Sequence, residues 1–153
     1  MWFLDMRTAF SLVRRIEFSE TDMAGIVHFS NFFRMMEMAE HAFLRELGTS
    51  VHVRGSGGVM GWPRVKVECE YARPLHFEDE VEIRLSVEEV RRRSVRYGFE
   101  FLRLPGVEHV AKGTVVAVCV RVDGVGGLEA VEIPEEVRRG LLARSVGGGE
   151  SGD

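Results

Sequence analysis

The chain has 153 residues, 45% of them apolar, and its 20 Lys+Arg against 24 Asp+Glu leave a formal net charge of -4. That is the size of one soluble domain, able to bury roughly 70% of its unfolded surface without disulfides or a structural metal. The balance excludes a whole-surface nucleic-acid footprint, the apolar runs fall short of a membrane span, and Met1-Trp2-Phe3-Leu4 lacks the charge-then-core order of a signal peptide.

In chain order, Phe10, Leu12, Ile16 and Phe18 recur at even positions and predict a half-buried strand over residues 9–18. A polar segment follows, and then an apolar-rich helix over about residues 30–47 that stops at Gly48. Its Phe32, Phe33, Met35, Met36, Met38, Ala39, Ala42, Phe43, Leu44 and Leu47 cover about 240° of the circumference, so something must wrap it on more than one side. Glu40 falls inside that arc, where it reads more readily as a flanking residue reaching water than as a buried acid. Residues 54–61 are Gly-rich and predict a flexible loop without the Lys-Ser/Thr pair of a phosphate-binding loop.

Four strand-like segments come next. Val65, Val67, Cys69 and Tyr71 alternate with charged residues, as do Val81 to Val87 and Val95 to Phe101, while residues 110–122 are more continuously apolar and suit a strand buried on both faces. Pro134 opens a short helix ending near Arg144, and residues 145–153 form a Gly/Ser-rich tail expected to be disordered. Short connections imply antiparallel pairing, hence an α+β fold in which a curved sheet of about five strands wraps one long helix. Open sheet edges are most simply protected by pairing with a second copy, which makes a homodimer the expected minimum unit. Cys69 and Cys119 stand apart in apolar surroundings and read as free thiols of a reducing compartment, the cytoplasm. No metal-ligand spacing is visible, and no cofactor is expected.

The chemistry concentrates in Asp22-Met23-Ala24-Gly25-Ile26-Val27-His28-Phe29-Ser30-Asn31-Phe32-Phe33. One carboxylate precedes the start of the long helix, with Gly25 between them, where the chain can turn or a ligand can approach the backbone. The first N–H groups of a helix lack partners and carry partial positive charge, so a carbonyl oxygen placed there is polarised as in an oxyanion hole. Asp22 could then attack the carbonyl or take a proton from water. The alternative is that Asp22 or Ser30 simply caps the helix.

Asp-x-Ala-Gly-Ile-Val-x-x-x-Asn-Phe-Phe, starting at Asp22, resembles the signature of hotdog-fold acyl-CoA thioesterases of the 4-hydroxybenzoyl-CoA thioesterase type, including the YbgC-like branch, over about residues 8–144. The resemblance implies the hotdog fold, an acyl-CoA or aroyl-CoA substrate, Asp22 as nucleophile or general base, and the Phe29 backbone N–H as the carbonyl's donor. Many relatives carry an aromatic residue and then His or Tyr, whereas His28 here precedes Phe29; His28 is thus either a substrate contact or a packed imidazole. Glu37 reads as an orienting or surface residue with His41 as its i,i+4 partner. Arg91-Arg92-Arg93-Ser94-Val95-Arg96 places four cations at a predicted hairpin tip, either for the phosphates of coenzyme A or as a solvated turn. A hotdog dehydratase and a non-catalytic acyl-CoA binder are the rival functions, and a tetramer built as a dimer of dimers is left open.

Overall fold

Alternating apolar side chains along the second half of the chain build a twisted antiparallel sheet, and the apolar helix supplies the body it wraps. The structure, a computed structural model, describes residues 7–55 and 57–146. Its elements are β1 (Phe10–Arg15), a 3-10 turn (Phe18–Glu20), α1 (Asn31–Glu46), β2 (Val53–Gly55), β3 (Gly58–Gly61), β4 (Arg64–Tyr71), β5 (Glu80–Val90), β6 (Ser94–Leu104), β7 (Glu108–Val118), β8 (Val120–Val122), β9 (Leu128–Ala130) and α2 (Glu135–Ala143). The main sheet runs β1-β5-β6-β7-β4, antiparallel throughout. This is the hotdog arrangement that the sequence predicts, with the long α1 and the short α2 as its two helices.

One face of the sheet carries Ile83, Leu85, Tyr97, Phe99, Phe101, Val115 and Ala117, all buried, and α1 lays Phe32, Met35, Met36, Ala39 and Phe43 against it. Each of the Val, Leu, Ile, Phe and Met side chains among them contributes about 1.5–3 kcal/mol by leaving water. Phe32 meets Phe101 edge-on with ring centroids 5.1 Å apart, and Phe43 meets Tyr97 likewise at 6.3 Å. The helix comes this close because β7 carries Gly113 beneath it: a Cβ there would lie 2.1 Å from Met36 Cε and 2.8 Å from the Glu68 carbonyl oxygen. A glycine is therefore required at that point of the sheet.

Several expectations are corrected. Within 54–61, expected to be a loop, residues 54–55 and 58–61 belong to β2 and β3, which join β8 and β9 in a second sheet ordered β2-β3-β8-β9. Glycine content hid this hairpin, because its pairing is made by backbone and its strands bury little. The stretch 110–122 is two strands, not one. The chain leaves the main sheet at Cys119, whose N–H bonds the Arg93 carbonyl (2.7 Å), and enters the small sheet with β8. Nor is β7 buried on both faces; Lys112, Thr114 and Val116 are half-buried on its outer side.

The first strand ends at Arg15, and Phe18 is 74% exposed on the 3-10 turn. β4 passes over its chain neighbour β5 to pair with β7, so it forms one edge of the sheet and β1 the other. One sheet cannot cover a 240° arc, and Met38 accordingly stays 40% exposed, with Phe33 and Ala42 half-buried. Val146 donates to the Val87 carbonyl (3.0 Å), carrying the ordered chain past Ser145. The rest of the expected tail, 147–153, lies outside the described residues.

Candidate functional site

The segment before α1 folds into a tight hairpin. Thr21 pairs with Val27, the Asp22 N–H donates to the Ile26 carbonyl (2.9 Å), and Gly25 turns the chain at φ +80°, a conformation that a Cβ disfavours. The hairpin is tied down on both sides. Val27 N–H donates to the Leu75 carbonyl (2.8 Å), and the Glu20 carbonyl accepts both the His28 N–H (2.9 Å) and the Asn31 side-chain amide (2.8 Å). Arg14 secures the Glu20 carboxylate at 2.7 Å.

Asp22 is half-buried. Its Oδ1 accepts the Ala24 N–H at 2.8 Å, a local turn typical of aspartate, and its Oδ2 has no partner among the described residues. Neither Asp22 nor Ser30 caps α1. Ser30 occupies the cap position without a side-chain cap bond, its hydroxyl being taken by His28 Nδ1 at 2.7 Å. The capping alternative is thereby removed. With Nδ1 also accepting the Ser30 N–H (3.3 Å), a neutral His28 carries its proton on Nε2, and its ring lies 4.5 Å from that of Phe29.

The Phe29 N–H has no acceptor among the described residues. It sits two residues before the first turn of α1, where partial positive charge accumulates. The Phe29 side chain is 61% exposed, and its carbonyl is held by the Tyr71 hydroxyl at 3.0 Å. Burial pushes the Tyr71 phenol up to about 12, so it stays a donor at neutral pH. Asn31, Glu20 and Tyr71 were not singled out from sequence as site residues. The contact of Tyr71 bridges 42 positions, and no local pattern signals it.

The middle of α1 faces β4 with a second polar group. Glu40, only 2% exposed, forms a short hydrogen bond and ion pair with Arg64, correcting the expectation that it reaches water. Arg64 also donates to the Trp62 carbonyl (2.6 Å) and lies 3.8 Å from Glu37 Oε1. Burial pushes the Glu40 carboxyl up to about 7, outweighing the opposing pull of Arg64. His41 Nε2 lies 3.4 Å from Glu37 in the expected i,i+4 pair and is lowered by burial. A slot of about 170 Å³ opens beside this group, with Phe33, Met36, Val67, Phe99 and Val115 as apolar walls. A wider cavity of about 570 Å³ is lined by Glu68, Glu70, Glu88, Glu100 and Lys112, among others. Asp22 lines neither.

The β5–β6 tip is where the arginines were expected, but their charges are engaged. Arg91 pairs with Glu89 (2.9 Å), Arg92 with Glu132 (2.7 Å) and Arg96 with Glu88 (2.9 Å). Ser94 closes the turn by accepting the Arg91 N–H (2.8 Å). Arg93 makes no side-chain hydrogen bond or ion pair among the described residues. The tip does not join Asp22 within one protomer. The Asp22 hairpin adjoins the Glu80 end of β5, and eleven residues of strand place the tip about 34 Å away. Among the described residues there is no cluster of His, Cys, Asp or Glu fit for a metal and no helix long and apolar enough to cross a membrane.

Comparison with known proteins agrees with this arrangement. A solved protein of Aquifex aeolicus is 32% identical, with a TM-score of 0.75 over 86% of this chain and 98% of its own. The 1,4-dihydroxy-2-naphthoyl-CoA hydrolase of Prochlorococcus marinus (strain NATL2A) is 30% identical over 65% of this chain and 70% of its own. The 4-hydroxybenzoyl-CoA thioesterase of Pseudomonas sp. (strain CBS-3) is 25% identical over 86% and 96%. Curated relatives are matched over 65% to 96% of their own lengths. Residues 16–141 match the family described as the thioesterase-like superfamily, and with most of its length inside that match the chain belongs to this superfamily.

Proposed function

We propose that the protein hydrolyses an acyl-CoA or aroyl-CoA thioester to the free acid and coenzyme A. The observation that carries the reading is the Phe29 N–H just before α1, which has no acceptor among the described residues, beside a hairpin that presents an Asp22 oxygen likewise without a partner among them. The thioester carbonyl oxygen accepts from Phe29, and the charge that develops on it is stabilised by the helix start. Tyr71 and Asn31 fix that backbone, so little reorganisation accompanies the reaction. As general base, Asp22 takes a proton from water, the hydroxide adds to the carbonyl carbon, and collapse of the tetrahedral adduct expels the thiolate, which regains a proton. As nucleophile, Asp22 forms an acyl anhydride while the thiolate leaves, and water then cleaves the anhydride. Neither route needs a metal or a cofactor.

The functional unit in this reading is a homodimer. β4 is an edge strand with Val65 62%, Val67 44% and Tyr71 47% exposed, an apolar row suited to a second copy. Pairing two β4 edges antiparallel about a two-fold axis reverses the partner's sheet. The partner's arginine tip then falls at the same end as this chain's Asp22 and Phe29, three strand spacings or about 15 Å from the β4 end where Tyr71 holds Phe29. That supports Arg91, Arg92, Arg93 and Ser94 as the anchor of the coenzyme A phosphates of the neighbouring site. Two unpaired thiols, Cys69 and Cys119, support a cytoplasmic location.

Thiol release over a panel of CoA thioesters tests the reading. Asp22→Asn is expected to cut kcat by about 100-fold or more, with the melting temperature little changed. Undiminished turnover in that variant would overturn the mechanism.

A further inference from the structure

Glu20 carries both halves of the proposed site. It stands two positions before Asp22, and its carbonyl accepts the N–H of His28, which precedes Phe29, and the side-chain amide of Asn31, the first residue of α1. Its own side chain is enclosed: Glu20 Oε1 accepts the Glu17 N–H (2.8 Å) and Arg14 Nη2 (2.7 Å), with the Arg14 and Glu20 side chains 16% and 12% exposed. Arg14 is out of character with its strand. On the sheet face that α1 covers, Phe10 stands opposite Leu85, Leu12 opposite Ile83 and Arg14 opposite Val81, so a cation ends an apolar row. Arg14 Nη1 is buried there without a hydrogen-bond partner.

Stability alone does not account for this arrangement. A buried ion pair is commonly no better than apolar side chains of the same volume, and a buried N–H left unpaired adds a cost. Resting on the thioesterase reading, we propose that Arg14 is a positioning residue: through Glu20 it pins the Asp22 hairpin and the Phe29 N–H to the main sheet in one fixed geometry. The chain of contacts is short. The β1–β5 ladder holds Arg14, the guanidinium holds the Glu20 carboxylate, and the Glu20 carbonyl holds the segment on either side of Phe29. Tyr71 grips the same peptide from β4 through the Phe29 carbonyl, so the donor is fixed from both edges of the sheet. The Asp22 carboxylate, by contrast, bonds only within its own turn among the described residues, to the Ala24 N–H. Released from Arg14, the hairpin would keep its internal bonds and its tie to Leu75 yet shift against β1. Misplacing a reacting group by about 1 Å can cost about 100-fold in rate. Because Nη2 alone makes the contact, one N–H donor at that reach is enough and the arginine fork is not required.

The informative variant removes both charges at once, Arg14→Met with Glu20→Gln, since an amide oxygen still accepts the Glu17 N–H and no buried charge is stranded. Its melting temperature is expected to stay within about 4 °C of the wild type. In the thiol-release assay kcat should fall about tenfold or more while KM changes less than about threefold, the split expected when geometry at the reacting atoms is lost and binding is kept. Arg14→Lys, which keeps one donor, should hold kcat within about threefold of the wild type. If the pair does not fold, Arg14→Gln, two bonds too short to reach Glu20, takes its place with the same expectations. Nitrogen-15 relaxation of the Phe29 amide in the full chain needs no substrate and separates this idea from the hydrolase reading. Its order parameter is expected to drop from about 0.85 toward about 0.6 in the double variant and to stay high in Arg14→Lys. A freed Phe29 amide supports the positioning role even if the wild type cleaves no thioester. An amide as rigid as in the wild type, a freed amide with undiminished kcat, or a folded Arg14→Lys protein as slow as the double variant overturns it even if every thioester is cleaved.

Discussion

Glu40 shows burial and pairing acting on one carboxyl in opposite directions. Its folded value, pushed up to about 7 by burial, stands above the ordinary 4.5 that it regains on unfolding. Between those values the folded chain holds a proton that the unfolded chain has released. The associated stability is therefore fully present below about pH 4.5 and is lost as pH rises through about 7, a change on the order of 3 kcal/mol. Urea midpoints followed across that window should fall for the wild type more steeply than for Glu40→Gln, and parallel curves would show that Glu40 titrates normally. Sequence could place Glu40 inside the apolar arc, but Arg64 stands 24 positions away on a strand whose pattern marks it only as an entry residue. Asp22 was legible because its neighbours form a contiguous motif. Tyr71, which holds the same helix start, was not, because its role exists only after β4 has crossed to β7.

The elements that were legible are those whose periodicity is reinforced by burial. In β5 apolar residues alternate from Val81 to Val87 and in β6 from Val95 to Phe101, and α1 concentrates its apolar residues on the face that meets them. β2, β3 and β9 are three or four residues long and bury none of their side chains, so no pattern distinguishes them from loop. The break at Cys119 was hidden for the opposite reason: apolar residues continue through it while the chain changes sheets. Packing between elements makes its own prediction at Gly113. Gly113→Ala places a methyl against Met36 and the Glu68 backbone, and because the backbone cannot retreat as a side-chain tip can, it should destabilise by about 1–3 kcal/mol. Chemical denaturation measures this directly, and an unchanged midpoint would mean that α1 sits farther from the sheet.

For the whole molecule, the exposed apolar row on β4, together with Phe29 and Met38, is surface that a single protomer leaves uncovered. Light scattering should give at least twice the 17.3 kDa chain mass. Val67→Arg, which sets like charges face to face across a β4–β4 seam, should shift the population toward that chain mass. The sequence already required something to wrap α1 on more than one side, and one sheet supplies only part of it; what it could not convey is the end of the sheet at which each functional group lies. The distance between the Asp22 hairpin and the arginine tip turns that placement into a rule of inheritance. Two inactive chains, one with Asp22→Asn and the other with Arg91, Arg92 and Arg93 replaced by Ala, should restore activity when co-expressed. In their mixed dimer one site receives the intact aspartate from one chain and the intact tip from the other, while the second site lacks both. Such complementation, recovering up to about a quarter of wild-type turnover under random pairing, would be absent if each chain served its own substrate from end to end.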